Sequence, residues 1–323
     1  MSTITEIRAA AARLEGITRR TPLLTSPFLD EIAGRRVFIK AECLQHTGSF
    51  KYRGASNAIR AMDPTVRARG VIAFSSGNHA QSVALAAAEM GVPSVIIMPT
   101  TAPQLKIDNT HALGGEVVPY DREGGEDRNA IGGRLAAQRG LTLVKPYDDP
   151  MVIAGQGTTG LEIAGQLEEA GVKEAEVAVC AGGGGLASGI ALALESDAPG
   201  TRLRPCEPEG FDDLTRSLAS GQRETNAALG GSICDAIITP SPGEITFPIL
   251  ERLAGPGIVV SDADALRAMQ AAFLRLKLVA EPGGAVALAA ALFQREAFES
   301  DTVVAVVTGG NVDPEMFARA LAL

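Results

Sequence analysis

The chain has 323 residues, 46% of them hydrophobic, and a formal net charge of -9 with a pI near 5.0. The negative charge argues against a basic surface for a phosphate backbone, and an aromatic content of only 4% leaves few side chains for base stacking. We therefore expect no nucleic-acid partner. The length and the apolar content predict a soluble globular protein with room for two domains. Apolar runs such as 285–293 are far shorter than the ~18 residues of a membrane span, so no membrane association is expected.

The start of the chain shows no export signal, because charged residues interrupt an alanine-rich helical pattern there. The four cysteines are widely spaced and include no C-x-x-C pair, which argues against a zinc ribbon or a disulfide framework. Such spacing is typical of a reducing compartment. The three histidines are too scattered for a histidine metal site. We therefore expect a cytoplasmic protein.

Short β-branched runs alternate with alanine-rich helical segments along most of the chain. This pattern predicts an α/β fold with open, mostly parallel sheets and flanking helices. The predicted strands are 37–41, 71–74, 94–98, 116–119, 142–144, 176–180, 202–207 and 303–308. The clearest predicted helices are 51–62, 78–90 and 103–113.

A compact set of strand-helix units between residues 71 and 144 predicts a small domain, residues 66–145. It is inserted into a large domain formed by residues 1–65 and 146–323. The predicted crossing point is 145–150, where two prolines and two aspartates oppose a continuing helix or strand.

The segment 47–54 places Lys51 between a glycine-bearing turn and the start of the predicted helix 51–62. Burial and the positive end of a helix both disfavour the ammonium form of a lysine. The neutral amine attacks carbonyl groups and forms Schiff bases. A solvated lysine in a polar turn is the alternative, and this segment alone does not decide between the two.

A second motif, Ser75-Ser76-Gly77-Asn78-His79, lies at the turn between a predicted strand and a predicted helix. Ligands bind at the carboxyl ends of parallel strands, and the free N–H groups of the following helix favour an anion. Serine hydroxyls and an amide add uncharged donors suited to a carboxylate. The alternative is that Ser75 or Ser76 is the N-cap of the helix.

Four consecutive glycines follow the predicted strand 176–180: Gly182, Gly183, Gly184 and Gly185. Their backbone can fold closely around a phosphate. No Lys-Ser/Thr pair follows, which excludes a Walker-type loop. A dinucleotide fingerprint fits imperfectly, because Ser188 occupies the place of the third glycine, although Glu207 lies 22 positions after Gly185. A NAD-dependent oxidoreductase therefore stays open as a remoter alternative.

A third strand-end motif places Thr308 before Gly309, Gly310 and Asn311. A hydroxyl at such a point can hydrogen-bond a neutral ring nitrogen, whereas an aspartate would keep the ring protonated. A neutral ring is the weaker electron sink, which suits elimination from Cβ better than transamination.

Together these motifs resemble the fold-type II, tryptophan synthase β-like family of pyridoxal-phosphate (PLP) enzymes, in its serine/threonine dehydratase and serine racemase branch. The resemblance covers nearly the whole chain. It implies a catalytic role for Lys51, as Schiff-base lysine and general base, and for Ser76 on the opposite face of the ring. It implies cofactor contacts for Phe50, Lys51, Asn78, Gly182, Gly183, Gly184, Gly185, Leu186, Glu281 and Thr308. It implies substrate contacts for Ser75, Ser76, Gly77, Asn78 and His79.

The segment 207–213 resembles a cation site of racemase-like members. The resemblance implies Glu207, the carbonyl of Phe211 and Asp213 as hard oxygen ligands for Mg²⁺ or Ca²⁺. The alternative is an acidic helix start, in which Asp212 and Asp213 interact favourably with the helix dipole.

The implied function is PLP-dependent β-elimination from a hydroxy amino acid, releasing ammonia and a 2-oxo or imino acid. Serine, threonine and 3-hydroxyaspartate are the candidate substrates, and amino-acid racemisation is the alternative activity. The residues His46 and Tyr52 depart from the family pattern beside the lysine. The second carboxylate of 3-hydroxyaspartate needs a donor, for which His46, Arg53 and Arg128 are candidates. The resemblance also implies a homodimer. Because the chain ends near the end of the family's catalytic domain, we expect no C-terminal regulatory domain of the kind that biosynthetic threonine dehydratases carry.

Overall fold

A computed structural model describes residues 3–121, 124–228 and 230–323. Its strands, in chain order, are β1 Leu23–Thr25, β2 Arg36–Ala41, β3 Val71–Phe74, β4 Ser94–Pro99, β5 Glu116–Tyr120, β6 Thr142–Leu143, β7 Ala175–Cys180, β8 Thr201–Pro208, β9 Ile258–Val260 and β10 Thr302–Val307. The eight predicted strands are confirmed to within one residue at each end. Sequence reasoning missed β1 and β9, which are three residues long and too short to show a pattern.

The strands form two sheets. One is six-stranded, in the order β1-β2-β10-β7-β8-β9, and the other is four-stranded, in the order β5-β4-β3-β6. The strands pair in parallel throughout the described ranges, except that β1 is antiparallel to β2. The four-stranded sheet is built from residues 71–143, inside the predicted small domain. The domain boundaries themselves stay a prediction.

Helices cover the sheets. They are α1 Ile4–Arg13, α2 Pro27–Ala33, α3 Lys51–Ala61, α4 Pro64–Arg67, α5 Asn78–Ala88, α6 Gln104–Ala112, α7 Arg128–Arg139, α8 Pro150–Glu169, α9 Gly185–Asp197, α10 Asp213–Ser220, α11 Thr246–Leu253, α12 Asp262–Leu276, α13 Pro282–Phe293 and α14 Pro314–Leu321. Within the described ranges, no helix combines the length and the apolarity that a membrane span requires.

The core lies on both faces of the six-stranded sheet. The strand β7 is buried at every residue, as expected of a parallel strand that is covered on both sides. The apolar helix α13 packs on β7, β8 and β10. On the other face α8 and α9 approach so closely that a Cβ on Gly189 would lie 2.6 Å from the backbone nitrogen of Gly157. Glycine at this crossing lets the two helices pack backbone to backbone.

The sheet topology places the turns that carry the predicted motifs at the carboxyl ends of the parallel strands. The turns after β3, β7 and β10 all leave the carboxyl ends of parallel strands. In open α/β sheets this edge is where ligands bind. The segments 75–77, 181–184 and 308–311 therefore meet at one cavity.

Candidate active site

A cavity of about 370 Å³ lies where the carboxyl ends of the two sheets face each other. Every residue predicted to contact the cofactor or the substrate lines it: Phe50, Lys51, Ser75, Ser76, Gly77, Asn78, His79, Gly182, Gly183, Gly184, Gly185, Leu186, Glu281 and Thr308. These residues come from separate stretches spread along the chain. Their individual roles stay predictions, but the fold brings all of them to a single site.

The amine of Lys51 is held inside this cavity. It is the first residue of α3, and its Nζ donates a hydrogen bond to the carbonyl oxygen of Pro146 over 2.7 Å. Loss of hydration lowers the pKa of the lysine to about 8, although the carboxyl of Glu281 partly opposes this shift. The neutral amine is therefore more populated near neutral pH than in an ordinary lysine, although the ammonium form still predominates at pH 7. Because the amine is bonded to a backbone carbonyl inside the cavity, the alternative of a solvated lysine in a polar turn is wrong.

The glycine run forms a cradle that side chains would fill. A Cβ on Gly183 would lie 2.3 Å from the ring of Tyr147, and one on Gly182 would lie 2.9 Å from the carbonyl oxygen of Ile237. The residue Gly184 has φ +88°, a left-handed conformation that favours glycine. Because α9 begins at Gly185, the free N–H groups of its first turn follow directly from the cradle. This arrangement fits a phosphate group.

The turn after β3 differs from a simple serine cap. The N-cap of α5 is Gly77, and the Oγ of Ser75 accepts a hydrogen bond from the Gly77 N–H at 3.1 Å. The alternative that Ser75 or Ser76 caps this helix is therefore wrong. The serines and the start of α5 line the cavity, as a carboxylate site requires.

The side chain of Asn78 is fixed from two sides. Its Nδ2 donates to Oε1 of Glu281 at 2.6 Å, and its Oδ1 accepts from Nδ2 of Asn311 at 2.7 Å. The same Asn311 nitrogen donates to the carbonyl oxygen of Thr47 at 2.7 Å. Burial raises the pKa of Glu281 to about 7, and the bond from Asn78 partly offsets the shift. The orientation of the Asn78 amide is thus determined by its neighbours.

The imidazole of His79 is neutral. Its Nε2 is 2.9 Å from the carbonyl oxygen of Val144, and the residue is only 3% exposed. Burial, together with the nearby charge of Lys51, lowers the pKa of this histidine to about 3. It is therefore unsuited to carrying a proton at neutral pH.

Comparisons with known proteins agree with this geometry. Residues 14–309 match the family described as pyridoxal-phosphate dependent enzyme. The chain belongs to this family. An L-threo-3-hydroxyaspartate ammonia-lyase from Pseudomonas sp. is 44% identical over 321 residues, which cover 99% of each chain. Among solved structures, maize serine racemase has a TM-score of 0.91 at 36% identity, covering 99% of this chain and 97% of the other.

A third relative is the threonine deaminase of T.th., whose crystal structure has a TM-score of 0.89 and 42% identity, covering 96% of this chain and 99% of the other. These matches confirm the predicted fold-type II PLP fold and the predicted cofactor, PLP. They give no support to the NAD-dependent alternative. In addition, the Glu207 carboxylate that a ribose would need is already bonded to the start of α10.

Among the candidate donors for a second substrate carboxylate, only Arg128 lines the cavity. The side chain of Arg53 is fully buried and forms ion pairs with Glu42 at 2.8 Å and with Glu162 at 2.7 Å. The proposal of Arg53 as a donor is therefore wrong. The ring of His46 packs against the ring of Tyr52, with 5.0 Å between their centroids, outside the residues that line the cavity.

Several groups that line the cavity were not assigned to the site from the sequence, among them Gln81, Lys106, Tyr147 and the segment 235–240. The position of Lys106 had a detectable signal, since α6 follows the carboxyl end of β4 and therefore begins at the same edge as the other motifs. The segment 235–240 had none, because it is a short turn and loop brought in by tertiary packing.

In the segment 207–213, which is predicted to bind a cation, most carboxylate oxygens of Glu207 and Asp213 already accept hydrogen bonds from protein groups. The carboxylate of Glu207 accepts hydrogen bonds from the backbone N–H groups of Leu214 at 2.9 Å and Thr215 at 2.6 Å. One oxygen of Asp213 accepts from Asn226 at 2.6 Å, while its Oδ2 is buried and has no hydrogen-bond partner among the described residues. No cluster of three or more His, Cys, Asp or Glu side chains suited to a metal occurs in the described ranges.

Proposed function

We propose that the chain is an ammonia-lyase that prefers 3-hydroxyaspartate over serine and threonine. Its reaction class is PLP-dependent β-elimination, as the ammonia-lyase relatives that match over nearly their whole length indicate. The observation that carries the proposal is that the Lys51 amine, the glycine cradle and the Ser75–Asn78 turn line one cavity. The preference for a dicarboxylate rests on Arg128 at the same cavity and on the Pseudomonas relative.

The residues present fit PLP. The cradle of Gly182, Gly183, Gly184 and Gly185 would hold the phosphate, and the Lys51 amine would provide the covalent anchor. Thr308 and Asn78 would contact the ring. When bound, PLP binds the amino group of the substrate and withdraws electrons from Cα, which makes the Cα proton acidic.

The protein's own groups then act on the substrate. The turn 75–78 binds the α-carboxylate through uncharged donors and the start of α5. The neutral amine of Lys51 removes the Cα proton, and this proton is available to the Cβ hydroxyl, which departs as water. The unsaturated amine that remains tautomerises and is hydrolysed by water to a 2-oxo acid and ammonia. The neutral hydroxyl of Thr308 beside the ring favours this elimination over transamination.

A racemase activity is the second candidate, since Ser76 lines the same cavity as Lys51. A hydroxyl on the opposite face of the substrate Cα could deliver or accept a proton there. In that case Ser76→Ala would abolish the interconversion of L- and D-serine while elimination from the L-isomer continues. Chiral chromatography of serine after incubation separates the two activities.

The proposal is tested with purified protein and a panel of L- and D-serine, L-threonine and both 3-hydroxyaspartate diastereomers. Release of ammonia and 2-oxo acid is measured for each. We expect the highest kcat/KM with one 3-hydroxyaspartate diastereomer. Borohydride treatment followed by peptide mass spectrometry should locate the cofactor on Lys51. Absence of 2-oxo acid from every substrate, or attachment at another lysine, would contradict the proposal.

Three finer features belong to the same proposal. The buried Oδ2 of Asp213, which no described residue hydrogen-bonds, supports a Mg²⁺ or Ca²⁺ site with Glu207 and the Phe211 carbonyl, completed by waters. The absence of a C-x-x-C pair supports a reducing, cytoplasmic location. Resemblance to the family supports a homodimer, with no nucleic-acid or membrane partner. Sedimentation of the purified protein tests the dimer directly.

A further inference from the structure

Lys106 is a further basic residue of the cavity lining, besides Lys51 and Arg128. The side chain of Lys106, in the first turn of α6, is only 20% exposed. Its Nζ lies 3.8 Å from Oδ2 of Asp235, the only acidic side chain within ion-pair distance of it among the described residues. The side chain of Asp235, at the start of the segment 235–240, is 74% exposed. The pair therefore joins α6, which follows a strand of the four-stranded sheet, to a segment that follows β8 of the six-stranded sheet.

This ion pair is poorly matched. At 3.8 Å the two groups are beyond hydrogen-bond distance, and a carboxylate that is mostly hydrated contributes little to such a pair. Among the described residues, the ammonium of Lys106 thus has no carboxylate within hydrogen-bond distance, and the carboxyl of Glu281 interacts with it only at longer range. A partly buried cation that borders a cavity in this way favours an anionic ligand in the space beside it.

Resting on the function proposed above, we propose that Lys106 determines specificity by binding the distal carboxylate of a dicarboxylate substrate, and that Asp235 is its internal competitor. Without substrate, the Asp235 carboxylate is the counterion of Lys106. A substrate carboxylate replaces it and leaves Asp235 to water, where it is already mostly exposed. Serine and threonine bring no second carboxylate, so the pair persists when they bind.

Exchange of this kind gives the two charges opposite effects on dicarboxylate binding. Removing the lysine removes the binding partner, whereas removing the aspartate removes the competitor. A purely structural ion pair that holds α6 and the segment 235–240 together would behave differently. Loss of either charge would then weaken the same contact and would affect every substrate in the same direction.

The experiment compares Lys106→Gln and Asp235→Asn with the unmodified protein, using 3-hydroxyaspartate and L-serine. For Lys106→Gln we expect kcat/KM to fall roughly 10- to 100-fold with 3-hydroxyaspartate and less than about 3-fold with L-serine, since a charge-assisted contact is lost only with the dicarboxylate. For Asp235→Asn we expect KM for 3-hydroxyaspartate to fall about 2- to 5-fold, because a weak and exposed competitor is removed. The KM for L-serine should stay the same. Lys106→Arg, which keeps the charge, should retain most of the activity toward 3-hydroxyaspartate.

Two variants at exposed positions control for net charge. They are Lys173→Gln, before the start of β7, and Asp301→Asn, before the start of β10, both at the opposite ends of these strands from the cavity. Neither should change the ratio of the two kcat/KM values. The double variant Lys106→Gln/Asp235→Asn should match Lys106→Gln alone, because Asp235 acts only through the lysine.

Binding of non-reacting ligands gives a readout that is independent of turnover. L-Aspartate and L-alanine differ by a carboxylate and lack a leaving hydroxyl. Inhibition by L-aspartate should weaken in Lys106→Gln and strengthen in Asp235→Asn, while inhibition by L-alanine stays constant. Shifts of both variants in one direction, or equal losses with both substrates, would overturn the inference. A wild-type protein that releases no 2-oxo acid from either substrate would instead overturn the proposed function.

Discussion

The amide of Asn78 and the carboxyl of Glu281 are 2.6 Å apart, and this hydrogen bond joins the first residue of α5 to the residue before α13. It connects two segments that line the cavity, next to the predicted ring position. Because Glu281 is only 7% exposed, the protonation of this carboxyl affects both the stability of the fold and the charge of the site.

Burial raises the pKa of Glu281 from 4.5 to about 7, so the folded state binds this proton more tightly than the unfolded state does. Its contribution to stability is present below pH 4.5 and is lost as the pH rises to about 7. The free energy of unfolding of the wild type, measured with urea, should therefore fall by about 2–3 kcal/mol between about pH 5 and pH 8. This fall should be missing in Glu281→Gln. Parallel pH profiles for the two proteins would contradict the assignment.

The lowered pKa of Lys51 predicts the pH dependence of PLP capture. In protein freed of the cofactor, only the neutral amine can attach PLP covalently. The attachment rate should rise with pH and level off above about pH 8, the pKa of this buried amine. A solvated lysine would continue to gain reactivity up to about pH 10. Absorbance after mixing with PLP follows the reaction, and Lys51→Ala is the blank.

The glycine cradle predicts a specific intolerance of side chains. In Gly183→Ala the new Cβ would meet the ring of Tyr147 at 2.3 Å, so the ring or the cradle must move. We expect the dissociation constant of PLP, measured by fluorescence titration, to rise at least about tenfold, since the phosphate contacts lose their geometry. Gly165→Ala is the matched control, because nothing lies within 4 Å of its Cβ. Tyr147→Ala combined with Gly183→Ala should recover part of the affinity.

The sequence was sufficient for the longer strands, the order of the motifs and the set of residues around Lys51, because most of these motifs end a buried parallel strand. It was insufficient where position depends on packing between distant segments. The side chains of His46 and Arg53 lie close to Lys51 in the sequence, yet one packs on Tyr52 and the other pairs with Glu42. His46 lies in a separate turn before α3, and Arg53 points away from the cavity although it is on the same helix as Lys51, so proximity in the chain did not identify the groups that face the substrate.

The segment 207–213 predicts a modest stabilisation by divalent cations. Within the part of the chain that the structure describes, the Oδ2 of Asp213 has no hydrogen-bond partner, so Mg²⁺ or Ca²⁺ would satisfy a buried oxygen. Millimolar MgCl₂ should raise the melting temperature of the wild type by several degrees and that of Asp213→Asn by none. Asp212→Asn, which changes a partly exposed neighbouring acid, is the control. Equal shifts in all three proteins would indicate a general salt effect.

Arg53 provides the last prediction, because its guanidinium compensates two acids that are largely or wholly buried. Removing it in Arg53→Gln leaves Glu42, which is fully buried, without its main counterion. Breaking a buried pair in this way costs about 3–5 kcal/mol, so the midpoint of urea unfolding should fall sharply. Arg139→Gln, which removes an exposed pair with Glu116, should cost at most about 1 kcal/mol. Because Arg53 lies outside the cavity lining, the KM of the folded Arg53→Gln protein should match the wild type, whereas a donor to the substrate would raise it.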